Sequence, residues 1–234
     1  VWKETERALG ERSPEVYIQT LRECGALKAL FPEVECLFGV PQRADYHPEI
    51  DTGIHILMAL QQSAKLSDNS IIRFAVLVHD LGKGITPTHI LPSHSGHEAR
   101  GVSLVDSLCD RLKVPNHFRQ LALSVTQYHL MCHKALELEP ELILSLLKGV
   151  GALKSSDKLD DFILCCEADA RGRTGFEERD YPSADYLRAA LNKAIGISIA
   201  DLVKSGIEGA EIGRQLSLRR IACIAELKHT YSAS

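Results

Sequence analysis

Residues 70–84 read SIIRFAVLVHDLGKG. From Ile71 to Val78 the run is apolar at every position but Arg73. Wound as a helix it is apolar on almost every side, and such a helix belongs at the centre of a fold. It ends at His79-Asp80, and Gly82 and Gly84 are expected to supply the stop. Ending a buried helix on two polar groups costs several kcal/mol unless both are partnered. His offers a neutral nitrogen and Asp an anionic oxygen, a mixed set suited to a divalent ion. Taken alone, the dipeptide also reads as a capping Asp beside a partly exposed His.

The flanking sequence keeps the helical period, and strand-like alternation is scarce. The opening residues, VWKETERALGERS, read as the end of a helix. Ser13-Pro14 places an N-cap and a first-turn proline before a helix predicted to reach about Leu30, where Phe31-Pro32 ends it. Asp51 can cap a helix through Ile54, Leu57, Met58 and Leu60 to about Leu66, and Ser70 opens the apolar one. A loop rich in Pro and His, Thr86 to Ser95, leads into a helix over about Gly96–Lys113. Pro115-Asn116 starts another, predicted to end near His129. Pro140 opens a short helix to about Lys148, and Ser156–Ala170 forms the next, packing Leu159, Phe162, Ile163 and Cys166. After a second long loop with Gly172, Gly175 and Pro182, three more helical segments follow, the last over about Gly209–His229. The expected class is all-α, with a polar site built from helix ends around the apolar helix.

Composition narrows the function classes. The 234 residues are 45% hydrophobic, 25% charged and 6% aromatic, a balance that suits a globular protein and leans away from a β-sandwich. The net charge is −4, so any nucleic-acid contact needs a local basic patch rather than a global field. Arg214, Arg219 and Arg220 form the best such cluster, although a charged helix face is also simply solvated. No apolar run approaches the roughly 20 residues needed to span a bilayer, so no membrane partner is expected. The seven cysteines are odd in number, without CxxC, and mostly in apolar stretches, which favours buried thiols in a reducing cytoplasm. The chain begins at Val1 in mid-pattern and reads as a piece of a longer protein.

Other residues strengthen the His-Asp reading. His55 sits mid-helix. Asp169 lies one turn past Cys165 and Cys166 on the core-facing stripe of its helix. A carboxylate there needs a partner, either a metal or a buried salt bridge to Arg171 or Arg173. His97 and His129 each stand at a predicted helix end, whereas His89, His94 and His133 read as loop histidines. Lys83, just past the apolar helix, either meets a phosphate oxygen or is a solvated lysine favoured by the helix dipole. Arg171 and Arg173 could grip a phosphate by forked hydrogen bonds or pair with Glu177, Glu178 or Asp180.

In this order, His55, then His79-Asp80, then Asp169 resemble the H…HD…D signature of the HD-domain metal phosphohydrolases. His97-x-x-x-Gly101 and His129 resemble the extra histidines of members that bind a second metal or orient phosphate. Longer blocks, PEIDTGIH, VLVHDLGKG, HSGHEARGV and CEADARGRTGFEERDYP, are similar to the HD-domain portion of bacterial CCA-adding tRNA nucleotidyltransferases. The resemblance implies an HD-domain helical bundle with additional flanking helices. Residues 1–40 would end the helical body of the parent enzyme, and residues 41–234 would form the HD domain with its C-terminal helices. It implies a divalent ion, nickel, magnesium, manganese or cobalt, on His55, His79, Asp80 and Asp169. His97 and His129 would hold a second ion or phosphate, and Lys83, Arg171 and Arg173 would bind phosphate or RNA. The implied activities are phosphatase, 2′-nucleotidase and 2′,3′-cyclic phosphodiesterase, on a tRNA 3′ end or nucleotide phosphate esters. The N-terminal nucleotidyltransferase domain of the parent would be a covalent partner, a homodimer is an allowed assembly, and the location would be the cytoplasm. Two alternatives stay open: an idle module for tRNA contact or dimerisation, and a hydrolase of free nucleotides.

Overall fold

In the computed structural model, which describes residues 1–198, 200, 202 and 206–232, helices alternate with loops and there is no strand among the described residues. The helices are α1 (Trp2–Leu9), α2 (Pro14–Glu23), α3 (Leu27–Leu30), α4 (Pro32–Glu35), α5 (Thr52–Leu66) and α6 (Ser70–Val78). Two short 3₁₀ segments, Leu81–Ile85 and Thr88–Ile90, precede α7 (His97–Leu112) and α8 (Asn116–His133). Then come α9 (Pro140–Val150), α10 (Asp157–Arg171), α11 (Pro182–Ile195) and α12 (Ala210–Ser232). The all-α expectation holds. The middle one of the three last predicted segments falls largely on residues outside those described.

The chain divides into two compact units, the first of Val1–His129 with Asp161–Asp180, the second of Leu130–Asp160 with Tyr181–Ser234. In the first, α6 is the centre, with Ile72 through Val78 all buried. Its Phe74 meets Trp2 of α1 and Phe118 of α8 edge to face, at centroid distances of 5.2 and 6.0 Å. Edge contacts of this kind align opposite ends of the ring quadrupoles. Arg73, the polar exception in the run, is buried because its guanidinium collects helix-end carbonyls. Nη1 donates to Leu9 O and Glu11 O at 2.7 Å, and Nε donates to Ser67 O at 3.0 Å. These carbonyls follow the ends of α1 and α5, where no intrahelical donor remains. Caps set the starts of both inner helices. Asp51 accepts from the Ile54 amide at 3.0 Å, and Asn69 accepts from the Ile71 amide at 3.0 Å.

The second unit builds its own core. Ile143, Leu144, Leu146 and Leu147 of α9, Tyr186, Leu187, Ala190 and Leu191 of α11, and Ile224 of α12 are buried. Arg220 Nε donates to Ala194 O at 2.9 Å, tying α12 to the end of α11, while Arg214 pairs with Glu211 on its own helix. Arg219 is exposed.

Several local expectations are corrected. The helix opening at Pro14 stops at Glu23 because Gly25 takes a left-handed conformation, φ +76°, and α3 restarts the chain. Ser13 sits at the N-cap position of α2 but its side chain makes no capping bond. Helix α8 runs one turn past His129, so His133 ends a helix rather than lying in a loop. Cys24 and Cys36 are exposed, while Cys109, Cys132, Cys165 and Cys166 are buried, and all are free thiols. Gly82 and Gly84 do not end α6, which stops at Val78. Gly82 instead allows close approach of backbone. A Cβ there would overlap the His97 carbonyl oxygen and lie 2.7 Å from the Gly101 nitrogen. Both neighbours are main chain and cannot rotate away, so Gly82→Ala is expected to destabilise the fold by about 1–3 kcal/mol, read as a lower urea midpoint with unchanged slope.

Candidate functional site

Residues from five helical elements of the first unit converge at the end of α6. Helix α5 supplies His55, the end of α6 supplies His79 and Asp80, α7 opens with His97, α8 carries His129 and α10 carries Asp169. All six are buried, and Asp80 is only 1% exposed.

The four imidazoles are oriented by main-chain carbonyls. His55 Nδ1 lies 3.0 Å from Gly172 O, and His79 Nδ1 lies 2.8 Å from Val76 O. His97 Nδ1 lies 3.1 Å from His94 O, and His129 Nδ1 lies 3.0 Å from Val125 O. A carbonyl only accepts, so each Nδ1 carries the hydrogen and donates it, and in the neutral ring Nε2 keeps the lone pair. Four Nε2 atoms therefore face inward, where they meet two carboxylates.

Asp80 stands between two groups of these atoms. Its Oδ2 lies 3.3 Å from His79 Nε2 and 3.9 Å from His55 Nε2, and Asp169 closes that side at 3.0 Å from His55 Nε2 and 3.5 Å from His79 Nε2. Its Oδ1 lies 3.1 Å from His97 Nε2 and 3.7 Å from His129 Nε2. The His97 and His129 Nε2 atoms are themselves 3.2 Å apart. Facing lone pairs at that distance repel unless a proton or cation lies between them. His79 Nε2 and Asp80 Oδ1 have no hydrogen-bond partner of acceptable geometry despite these short separations. A buried carboxylate oxygen left orphaned among inward-facing imidazole nitrogens fits a cation, and two sets, His55–His79–Asp169 and His79–Asp80–His129, place their ligand atoms within 4.8 Å of one another.

Charge within the cluster is uneven. Burial disfavours a charged His79, but the carboxylates of Asp80 and Asp169 outweigh it and raise the imidazole to about 10. Burial likewise opposes the Asp80 charge, yet His79 and Lys83 hold its carboxyl well below the usual range. Burial, reinforced by the positive His79, pushes His129 well below its ordinary value. His79 thus carries a further proton, on Nε2.

Lys83 is buried rather than solvated. Its Nζ donates to Asp80 Oδ2 at 2.6 Å and to Gln42 Oε1 at 2.7 Å. Arg173 reaches the rim, with Nη2 3.6 Å from Asp169 Oδ1 and Nη1 donating to Tyr46 O at 3.4 Å. Arg171 is not brought to the cluster. It pairs with Glu167 one turn back at 2.8 Å and donates to Arg179 O at 3.1 Å, so of the two arginines only Arg173 reaches the cluster. Neither arginine takes up Glu177, Glu178 or Asp180. His94 is buried against Thr86 and Pro41 O, His89 is exposed, and His133 meets Tyr181 in the second unit.

Sequence reasoning passed over three neighbours. Gln42 holds Lys83. Glu49 lies behind His55, its Oε1 2.9 Å from His47 Nδ1 and 3.1 Å from His55 Nδ1. Burial opposes the Glu49 charge, but hydrogen bonds from His47 and His55 hold its carboxyl well below the usual range. Burial pushes His47 down to about 4. The block PEIDTGIH already carried Glu49, whereas nothing in the sequence marked Gln42.

A buried helix ending in His-Asp, closed by further His and Asp residues from neighbouring helices, defines a helical metal-site domain of the phosphohydrolase type. The HD domain family matches residues 52–170, about half of the chain, and the chain belongs to that family. Nearly its full length is similar to proteins described as multifunctional CCA protein. The one from Thioalkalivibrio sulfidiphilus is 56% identical over 228 residues, covering 97% of this chain and 56% of the relative. That from Psychromonas ingrahamii is 49% identical over 232 residues, with 99% and 57% covered, and that from Acinetobacter baumannii strain AYE is 50% identical over 233, with 100% and 56% covered. The chain thus spans a little over half the length of these relatives. No helix among the described residues is long and apolar enough to cross a membrane.

The raised His79 sets a pH dependence. In the metal-free protein its proton stays on up to a pH of about 10, and an ion using Nε2 must displace it. Binding of a divalent ion near pH 7 is expected to release close to one proton per ion, with apparent affinity rising about tenfold per pH unit. Calorimetry in buffers of different ionisation enthalpy measures the release. The metal-free fold gains stability from this shift below the unfolded value of 6.5 and loses it as pH rises through about 10.

Proposed function

We propose that this chain is a divalent-metal-dependent phosphohydrolase with phosphatase, 2′-nucleotidase and 2′,3′-cyclic phosphodiesterase activity, acting on a tRNA 3′ end or on nucleotide phosphate esters. The observation that carries the reading is the inward set of four Nε2 atoms around two buried carboxylates, with His79 Nε2 and Asp80 Oδ1 left without a hydrogen-bond partner. His55, His79, Asp80 and Asp169 are the ligands assigned to one ion, and Asp80 Oδ1 with His97 and His129 to a second ion or a phosphate oxygen. A divalent ion held there supplies Lewis acidity toward a phosphate oxygen and lowers the pKa of a coordinated water.

The chain's own groups do the rest. The backbone carbonyls lock each imidazole in one tautomer, so no reorientation is needed when the site fills. Lys83 and Arg173 bring positive charge to the two carboxylates, and we assign phosphate contact to them. Hydrolysis of a 2′,3′-cyclic phosphate breaks one P–O bond to ribose and leaves a monoester, and hydrolysis of the monoester leaves inorganic phosphate. Both reactions add water across a P–O bond at a tetrahedral oxyanion, so one centre serves both. The relatives described as multifunctional CCA proteins support an RNA 3′ end as substrate and a nucleotidyltransferase as the companion domain. Nucleotidyl transfer itself is assigned outside these residues.

Metal content and a substrate panel test the reading together. The wild-type chain is expected to hold a divalent ion by elemental analysis and to hydrolyse cyclic phosphates, 2′-nucleotides and simple phosphate esters without adding C or A to tRNA. His79→Ala with Asp80→Ala is expected to lose the ion and at least about a hundredfold of all three hydrolyses, with helical circular dichroism retained. His133→Ala is expected to keep near-normal turnover. A double variant that keeps ion and turnover overturns the assignment and leaves a binding module. Should the double variant unfold, Asp169→Asn answers the same question.

A further inference from the structure

From the geometry we infer that Glu49 is a positioning residue, whose carboxylate behind His55 sets the strength of that imidazole as a ligand. The inference rests on the metal-site reading above and extends it to a residue outside the ligand set.

His55 faces two ways. Its Nε2 points to Asp169 Oδ1 at 3.0 Å, on the side of the cluster. Its Nδ1 points away from the cluster to Gly172 O at 3.0 Å, with Glu49 Oε1 3.1 Å from the same nitrogen. His47 approaches Glu49 Oε1 from the other side at 2.9 Å, and the two imidazoles meet edge to face at a centroid distance of 4.6 Å. His47, Glu49 and His55 are close enough to be read as a metal site in their own right. The bond to Gly172 O argues against that. It commits the hydrogen to Nδ1, so His55 has no lone pair on this side.

What remains is a negative charge set against an N–H. The Glu49 side chain is 2% exposed, and its Oε2 has no hydrogen-bond partner, so the charge is little screened by water or by further donors. A carboxylate near the Nδ1–H of a ligand imidazole raises the electron density at Nε2 and fixes the ring. Each of the other three cluster imidazoles also has its Nδ1 on a backbone carbonyl, and Glu98 Oε2 lies 3.5 Å from that of His97. Glu49 is both closer to its imidazole, at 3.1 Å, and more deeply buried than Glu98.

The chain makes this arrangement locally. Asp51 caps α5 and also accepts from the Gly39 amide at 2.7 Å, which fixes the approach of residues 47–50 to the first turn of the helix. His55 lies one turn into α5, above that approach. On the far side, Gly172 presents its carbonyl because its Cα packs on α5. A Cβ at Gly172 would lie 2.5 Å from Ala59 Cα.

The test uses the cobalt-loaded chain and Glu49→Gln, which keeps the shape and an acceptor for His47 but removes the charge. Co²⁺ affinity is expected to fall about 10–100-fold. In proton NMR the hyperfine-shifted Nδ1–H resonance of His55 is expected to move, while that of His79 stays. Glu49→Asp, which keeps the charge, is expected to recover most of the affinity. A Gln variant that binds Co²⁺ within threefold of wild type, with the His55 resonance unmoved, overturns the inference and leaves the metal-site reading intact. So does loss of Co²⁺ together with the melting transition, since Glu49 then acts only on the fold. If the wild-type chain itself binds no Co²⁺, the metal-site reading fails first.

Discussion

The carboxylate of Asp80 is the constraint on which the rest of the first unit depends. A charge at the end of a helix whose seven preceding residues are buried has no access to water. An uncompensated ion in that position would cost several kcal/mol. Compensation has to come from outside α6, because His79 is the one neighbour on its own strand of chain that can answer it. Helices α5, α7 and α8 and the turn carrying Lys83 each bring one side chain to it, while α10 adds a second carboxylate, Asp169. Their arrangement around α6 is the geometry that satisfies one buried carboxylate and its companion Asp169.

The same helix is polar at both ends and apolar between. At its start Arg73 gathers main-chain carbonyls that α1 and α5 leave unpaired, and at its finish His79 and Asp80 gather side chains. The apolar stretch separates a structural polar cluster from a chemical one. The difference between them lies in satisfaction. Arg73 finds acceptors for its guanidinium, whereas His79 Nε2 and Asp80 Oδ1 remain orphaned. Fully bonded polar networks rigidify a core, and an incompletely bonded one implies a missing partner.

Much of this was legible in the sequence. Helix periodicity, the Asp51 cap and the burial of the run from Ser70 followed from patterns that act over a few residues. The order His55, His79-Asp80, Asp169 marked the central residues because polar types on apolar stripes are informative. What was not legible depends on tertiary approach. Gly82 looked like a helix stop, yet its reason lies in the close approach of the α7 main chain at His97 and Gly101, which no local pattern shows. Lys83 read equally as solvated, because nothing local shows that Asp80 and Gln42 bury it. Arg171 and Arg173 were indistinguishable by spacing. The i,i+4 partner Glu167 claims the first, and only the turn after α10 carries the second back over Asp169.

Charge bears on the proposed use of this site for phosphate. Without an ion, two carboxylates face Lys83, Arg173 and a protonated His79. Exchanging that proton for a divalent ion raises the local charge by one unit while leaving every side chain in place. The gain is felt by a ligand that brings two negative charges more than by one that brings a single charge. Burial magnifies the difference, since the cluster lies where screening is weak. A monoester dianion therefore gains more from ion loading than a carboxylate or a halide does. The locked tautomers add that no side-chain rotation would offset the gain, so the same backbone carbonyls that orient the four imidazoles would let the proposed site use its full charge on a dianion.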